Sequence, residues 1–199
     1  MKVTLTGASG RLGGYTSRTL VERGHIVRAT DKVVGGDLPV KVQVADLLNR
    51  EVCYDLLEGA DAVIHLGNHA HYRGYDAQTV FNENVTMNMN VFQAAADLKV
   101  KQIVFASSVQ VISNEPSHRD PAANSPPYLP LDSAAPPKPG NVYGLSKQVS
   151  EVMLDCFARC CGMSCVAVRF PYLMDDKALQ RVKAREWQGA LREEAFSFL

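Results

Sequence analysis

Val3-Thr4-Leu5-Thr6-Gly7-Ala8-Ser9-Gly10-Arg11-Leu12-Gly13-Gly14 is a short apolar run, broken by glycines, that leads straight into a helical pattern. It reads as a strand, a tight turn and a helix N-terminus. A dinucleotide pyrophosphate needs bare backbone N–H groups and the positive end of a helix dipole, and a Cβ at such positions blocks its approach. Gly7, Gly10 and Gly13 supply the clearance, with Ser9, Arg11 and Leu12 between them in the same candidate phosphate-binding turn. The spacing G-x-x-G-x-x-G is one residue looser than the dinucleotide fingerprint G-x-G-x-x-G. By itself it also fits an ordinary strand-to-helix turn.

Outward from the turn, apolar strands alternate with helical segments, which is the pattern of βαβ units and a doubly wound, Rossmann-like parallel α/β sheet with helices on both faces. A helical stripe through Leu12, Tyr15, Thr19 and Leu20 reaches Arg23, and Gly24 stops it. His25 to Thr30 is the second strand, ending at Asp31. A carboxylate there accepts hydrogen bonds from the adenosine ribose hydroxyls and repels the extra phosphate of NADP, so NAD is the expected cofactor. NADP stays open because Lys32 and Arg11 can each offset that repulsion, and Asp31 can equally be read as a solvated loop residue. Val40, Val42 and Val44 alternate as a third strand, with Asp46 and Leu47 following in reach of an adenine edge. Arg50 to Glu58 is helical. Ala62 to Leu66 is the fourth strand and closes on Gly67 and Asn68, where a small residue lets backbone pass close to the cofactor.

His69 and His71 come next, in a loop, and without further ligands they read as solvent-exposed or substrate-facing rather than as a metal site. Asp76 to Leu98 is a long helix carrying apolar Val80, Phe81, Val85, Met89, Phe92 and Ala96 and a row of amides at Asn82, Asn84, Asn88 and Asn90. Amides inside a helix cost propensity, which points to buried hydrogen bonding. The fifth strand, Ile103 to Ser108, ends on the hydroxyls of Ser107 and Ser108 at the sheet's carboxyl edge, where open α/β sheets bind ligands. Eight of the chain's ten prolines fall between Glu115 and Pro139. That stretch reads as a long irregular loop, a lid over the site or a flexible insert. Asn141 then opens a helix to about Cys161, Gly162 ends it, and Ser164 to Arg169 is the sixth strand.

The 199 residues are 46% hydrophobic and 21% charged with a formal net charge of zero, as expected of one sizeable core. Balanced charge and the lack of a basic run argue against nucleic acid or an anionic membrane as partner and favour a small molecule. With no cleavable leader and no apolar run long enough to span a bilayer, the expected compartment is the cytoplasm. Five cysteines, four of them at Cys156, Cys160, Cys161 and Cys165, do not resemble a disulfide framework. They are expected to be buried small hydrophobes, and no metal site is expected.

Tyr143 and Lys147 lie four apart, so on a helix they share a face and the ammonium can sit near the phenol. A nearby positive charge favours phenolate and lowers a pKa that starts at about 10, which makes Tyr143 a usable general base. Alone, the pair fits a surface tyrosine with a lysine one turn away just as well. The ordered set TGASGRLGG, Asp31, Asp46-Leu47, Asn84-Val85, Ser107-Ser108 and YGLSK at 143–147 resembles the extended short-chain dehydrogenase/reductases, the NAD-dependent epimerase/dehydratase group, up to about Pro171. The resemblance implies that Ser108 fixes a substrate hydroxyl, Tyr143 takes its proton, and Lys147 tunes Tyr143 while binding the nicotinamide ribose. It also places Asn84, Ser107, Phe170 and Pro171 at the cofactor.

Departures narrow the activity. The group's dehydratases carry an acidic pair after the catalytic hydroxyl, whereas Val109-Gln110 cannot serve as acid and base for water elimination. Asn88 stands where threonine is common and Ile112-Ser113 where Tyr-Gly is. The expected reaction is hydride transfer between a nicotinamide cofactor and a carbohydrate hydroxyl, by a dehydrogenase or an epimerase. SSVQVI after the fifth strand resembles the uronate dehydrogenases and tilts towards a sugar-acid dehydrogenase. A dinucleotide-binding redox sensor without turnover is the alternative. The group's usual length implies that residues 1–174 are the cofactor domain and 175–199, read as one helix, begin a substrate lobe most of which is absent. The resemblance further implies a homodimer, for which Phe92, Met153, Leu154 and Phe157 are candidate apolar surface, or else core against the sheet.

Overall fold

β1 (Lys2–Thr6) is buried at Val3, Thr4, Leu5 and Thr6 because the chain covers it on both faces. That is the environment of a central parallel strand. The computed structural model describes residues 1–71, 74–112, 128, 130–174, 176, 179 and 180. Around β1 stand α1 (Arg11–Glu22), β2 (Ile26–Asp31), β3 (Val42–Val44), α2 (Arg50–Leu57), β4 (Ala62–His65), α3 (Ala77–Asp97), β5 (Gln102–Ser108), a 3-10 turn (Val109–Val111), α4 (Val142–Cys161) and β6 (Ser164–Phe170).

The six strands order β3-β2-β1-β4-β5-β6 and every neighbouring pair is parallel. The chain first walks outward from β1 to β3, then crosses back to β4 and walks the other way. The carboxyl ends of β1 and β4 therefore flank the switch point, where such sheets open a crevice. Right-handed crossovers put α1 on one face of the sheet and α2, α3 and α4 on the other. Thr4 faces α2 and donates to Leu56 O at 3.0 Å. Leu5, one residue on, packs with Ala8, Ala29 and Val42 on the α1 side.

The main core lies beneath α2, α3 and α4 and includes Leu56, Val63, Phe92, Ile103, Phe105 and Leu154. Phe92 and Phe105 meet edge to face with centroids 5.6 Å apart, a favoured aromatic geometry. The helices begin where side chains satisfy their first amides: Asn49 for α2, Asp76 for α3 and Asn141 for α4. Gly162 ends α4 in the left-handed region at φ 66°, as a C-terminal glycine can without a Cβ penalty. Asn49 accepts from Glu51 N at 3.0 Å and Val52 N at 3.3 Å. An Asn49→Ala chain is expected to lose about 1 kcal/mol, read as a lowered urea midpoint with an unchanged slope.

Four expectations need correction or limits. Cys156, Cys160 and Cys161 are exposed thiols and only Cys53 is buried, because positions 156 and 160 continue the outward stripe of Leu145 and Val152 while Ser150 and Leu154 face inward. Phe92 and Leu154 are 0% and 2% exposed and belong to the core rather than the surface. The third strand starts only at Val42, so Val40 precedes it. Residues 115–127 and 129 of the proline-rich stretch, and 175, 177, 178 and 181–199 of the tail, lie outside the described residues. The end of that stretch packs Leu131 and Ala135 on Val111 and Ile112. Among the described residues no helix is long and apolar enough to cross a membrane, and no three potential metal ligands cluster.

Candidate active site

The carboxyl ends of β1, β2, β4, β5 and β6 and the first turn of α4 converge on one cleft of about 1000 Å³. At its centre is the glycine turn. Gly7 sits at φ 69°, and a Cβ there would lie 2.7 Å from Leu66 C. At Gly13 a Cβ would meet Gly7 O at 2.2 Å. The turn is thus folded against the β4 end and the start of α1 more tightly than any side chain permits. No side chain caps α1, whose N-cap is Gly10. The residues of its first turn line the cleft, at the helix end whose backbone suits an anion.

On one side stands Asp31. Its Oδ2 accepts from Ser9 N at 2.9 Å and its Oδ1 from Lys32 N at 2.7 Å. The Lys32 ammonium turns to Asp46, 3.3 Å away, so the cation nearest Asp31 in sequence is paired with a second carboxylate. Leu47 closes the floor, where a Cβ on Gly67 would reach its Cδ1 at 2.8 Å.

On the other side Ser108, Tyr143 and Lys147 come together, each less than a tenth exposed. Lys147 donates to Asn68 Oδ1 at 2.7 Å and Ala106 O at 2.8 Å, with its ammonium 4.8 Å from the Phe105 ring centroid and 5.7 Å from that of Tyr143. Burial pushes Lys147 down to about 7, opposed by the Glu151 carboxylate one turn along α4. Burial also raises the Tyr143 phenol, and the neighbouring Ser108 hydroxyl pulls the other way. The expected lowering of Tyr143 by Lys147 is therefore not the dominant effect in the free chain, because the ammonium is buried too and directed at Asn68 and Ala106. The start of α4 is set by the 3-10 turn: Asn141 donates to Gln110 Oε1 at 2.7 Å, and a Cβ on Gly144 would lie 2.4 Å from Gln110 O. Only glycine inside Tyr-Gly-Leu-Ser-Lys lets the helix approach that closely.

Of the expected cofactor set, the residues from Gly7 to Gly13 together with Asp31, Lys32, Asp46, Leu47, Leu66, Gly67, Asn68, Ser107, Phe170 and Pro171 all belong to the cleft or its glycine turn. Asn84 does not line it. It is fully buried, accepts from His69 N at 2.8 Å and donates to Ser146 Oγ at 3.1 Å, tying the loop after β4 to α4. The expected buried bonding of the α3 amides holds for Asn84 and Asn88; Asn90 bonds from a half-buried position and Asn82 is exposed. His69 lines the cleft, with its Nε2 2.7 Å from Glu83 Oε2 and its ring 4.8 Å from that of Tyr75. Sequence reasoning missed the Glu83 partner and the Asn68 bond to Lys147. A polar residue where a small one was sought, at Asn68, was the available signal.

The chain resembles known proteins over the same span. The profile of the NAD dependent epimerase/dehydratase family matches residues 3–174. A uronate dehydrogenase of Pseudomonas syringae pv. tomato is 30% identical over 173 residues, covering 84% of this chain and 58% of that protein. A putative UDP-glucose 4-epimerase of Methanocaldococcus jannaschii is 26% identical, covering 84% and 54%. A short-chain dehydrogenase/reductase superfamily protein from Agrobacterium tumefaciens, solved with bound NAD, superposes with a TM-score of 0.78 at 27% identity, covering 98% of this chain and 60% of that one. The chain thus spans about three fifths of the length of such relatives. With the glycine turn, the paired Tyr143 and Lys147 and the strand order all in agreement, the chain belongs to the NAD dependent epimerase/dehydratase family.

Proposed function

We propose that this chain is the cofactor-binding and proton-transferring part of an NAD-dependent sugar dehydrogenase, whose substrate is a simple sugar acid. The observation that carries the reading is the convergence of Ser108, Tyr143 and Lys147 at one end of a cleft whose other end holds Asp31 and whose middle is the glycine turn. The similarity to a uronate dehydrogenase supports the substrate class.

The residues fit a dinucleotide. Gly7, Gly10 and Gly13 and the uncapped start of α1 suit a pyrophosphate. Asp31 suits ribose hydroxyls, with Asp46 and Leu47 at the adenine. Lys147, Phe170 and Pro171 suit the nicotinamide half. When bound, the nicotinamide ring supplies the acceptor or donor of a hydride. The protein's part is to orient and to move a proton. Ser108 donates to or accepts from the substrate hydroxyl, Tyr143 Oη starts as phenolate, takes the substrate proton as the carbon is oxidised and ends as phenol, and the Lys147 ammonium favours the phenolate from which the step begins. Residues 1–174 would form this half, and residues 175–199 would begin a substrate lobe.

The Lys32 pairing with Asp46 supports NAD over NADP, since it leaves Asp31 to repel a 2′-phosphate. Titrating the 199-residue chain with each reduced cofactor, by nicotinamide fluorescence, is expected to show saturable NADH binding at least about tenfold tighter than NADPH. Asp31→Ala should narrow that ratio. With NAD, galacturonate or glucuronate should yield NADH while UDP-glucose yields none. Turnover of UDP-glucose to UDP-galactose would make the chain an epimerase, and binding of neither cofactor would overturn the reading.

The outer stripe of α4, Leu145 and Val152 with Met89 of α3 beside it, supports a homodimer joined through these helices. Five free thiols support a reducing compartment, the cytoplasm.

A further inference from the structure

One chain of hydrogen bonds connects the glycine turn to Lys147, and the direction of every link is fixed from its ends. An ammonium only donates, so the oxygen of Asn68 faces Lys147 and its nitrogen faces away. That nitrogen donates to Asn88 Oδ1 and to Gly67 O, both at 2.8 Å. Asn88 Oδ1 also lies 2.8 Å from His65 Nε2, so Nε2 must carry the proton and Nδ1 must accept. Its partner is the Thr6 hydroxyl, 2.7 Å away. Thr6 Oγ1 in turn accepts from Leu66 N at 3.2 Å and Gly67 N at 3.1 Å, directly beneath Gly7. At the other end of Asn88, Nδ2 donates to Ser150 Oγ at 2.6 Å, and Ser150 donates to Ser146 O at 2.7 Å.

His65 is fully buried and held down to about 3, first by burial and then by the Lys147 charge, so it stays neutral in the tautomer the chain requires. Asn88, Thr6, Ser150 and His65 are buried and Asn68 half-buried, and each has its polar atoms engaged, which makes a satisfied network of the kind that fixes one arrangement. Lys147 has three donors, and Asn68 and Ala106 O take two. Only one N–H remains for the cleft.

We infer that Asn68 is a positioning residue, anchored by Asn88 and His65, that holds the Lys147 ammonium in place and leaves a single N–H aimed at the ligand beside Tyr143. The inference rests on the proposed reaction only in taking Lys147 as the partner of Tyr143. Asn84, the amide the family resemblance points to, is occupied by His69 and Ser146 instead. The other charged or titratable groups facing Lys147 are Tyr143 and Glu151 from α4 and His65 from β4. Glu151 is itself paired with Arg169 of β6 at 2.8 Å and accepts from Ser107 Oγ of β5 at 2.5 Å. Asn68 is thus the one neutral oxygen from the β4 end that Lys147 addresses.

The test is the titration of the Lys147 side chain in the cofactor-free 199-residue chain, followed by NMR of its ε-carbon and assigned with Lys147→Arg. Asn68→Asp keeps the shape and adds a charge at Lys147, and should raise the midpoint by about one pH unit or more. Asn68→Leu fills the same space with no acceptor, and should lower it. If Asn68→Leu does not fold, Asn68→Asp alone decides, and the acid limb of kcat/KM against pH, which follows the lower of the two titrations, should move the same way. An unmoved Lys147 midpoint in Asn68→Asp overturns the inference. NADH binding by the wild-type chain is a separate result that bears on the proposed reaction alone, so the two can fail independently.

Discussion

A Tyr143→Phe chain is expected to lose turnover by a factor of at least about a hundred while binding NADH as tightly as the wild type. The substitution removes one oxygen from a side chain 8% exposed and leaves the ring beside the Lys147 ammonium, so the fold has no reason to change. What is lost is the group that takes the substrate proton. In the free chain the phenol is raised by burial, and Lys147 is lowered to about 7 by the same cause. As pH rises, Lys147 gives up its proton before Tyr143 does, and the phenolate–ammonium form is a minor one. The useful form therefore has to be gained on binding, when the substrate hydroxyl donates to Tyr143 Oη and the remaining Lys147 N–H finds its partner. The sign for Lys147 is that its positive charge is present below about 7 and declines above it. The phenolate–ammonium form carries one proton fewer than the fully protonated pair, so kcat/KM should rise as the first proton leaves, near 7, and fall only as the second leaves at higher pH. The Phe variant should show neither limb above its residual rate. Initial rates across pH, with NADH fluorescence on the same preparations, check this. Undiminished turnover in Tyr143→Phe would exclude it as the base and favour a binding module without catalysis.

The fold was legible because its signals are local. The glycine turn, the alternation of apolar runs and the capping residues each lie within a few positions of the element they define, so β1, α1, β4, α3 and α4 begin and end within a residue or so of their expected bounds. Tyr143 and Lys147 were legible for the same reason, since an i, i+4 spacing fixes a shared face. What the spacing could not say is which way the ammonium turns. That depends on Asn68, 79 positions away in sequence, and on Asn88, whose propensity cost was visible but whose partners were not. The cysteines show the opposite failure. Small apolar side chains favour burial on average, but the phase of α4, set by Ser146, Ser150 and Leu154 facing inward, sends Cys156 and Cys160 to solvent. Gly144 drew no attention in the sequence beyond its place in YGLSK at 143–147. Its meaning appears only once the 3-10 turn is seen against it.

Gly13→Ala and Gly14→Ala should have opposite effects, although the two glycines are neighbours on one helix. A Cβ at Gly13 would lie 2.2 Å from Gly7 O and 2.6 Å from Ala8 O, both backbone atoms of the turn that cannot rotate away. The turn or the helix must move, which costs about 2 kcal/mol or more and displaces the amides of the first turn of α1. At Gly14 the nearest atom is Leu38 Cδ2 at 3.6 Å, an ordinary contact. There the alanine replaces a poor helix former at no steric cost and should stabilise by up to about 1 kcal/mol. Urea unfolding should therefore move to lower midpoint for Gly13→Ala and to higher or equal midpoint for Gly14→Ala. NADH affinity should fall at least about tenfold in the first and hold in the second. Helix propensity alone would stabilise both, so a Gly13→Ala chain as stable as Gly14→Ala would refute the close packing of the turn. Stability lost with NADH affinity intact would separate the two roles and leave the phosphate site to Gly7, Gly10 and the α1 amides. Because the steric cause acts on the same amides that would meet the pyrophosphate, the two losses are expected to come together.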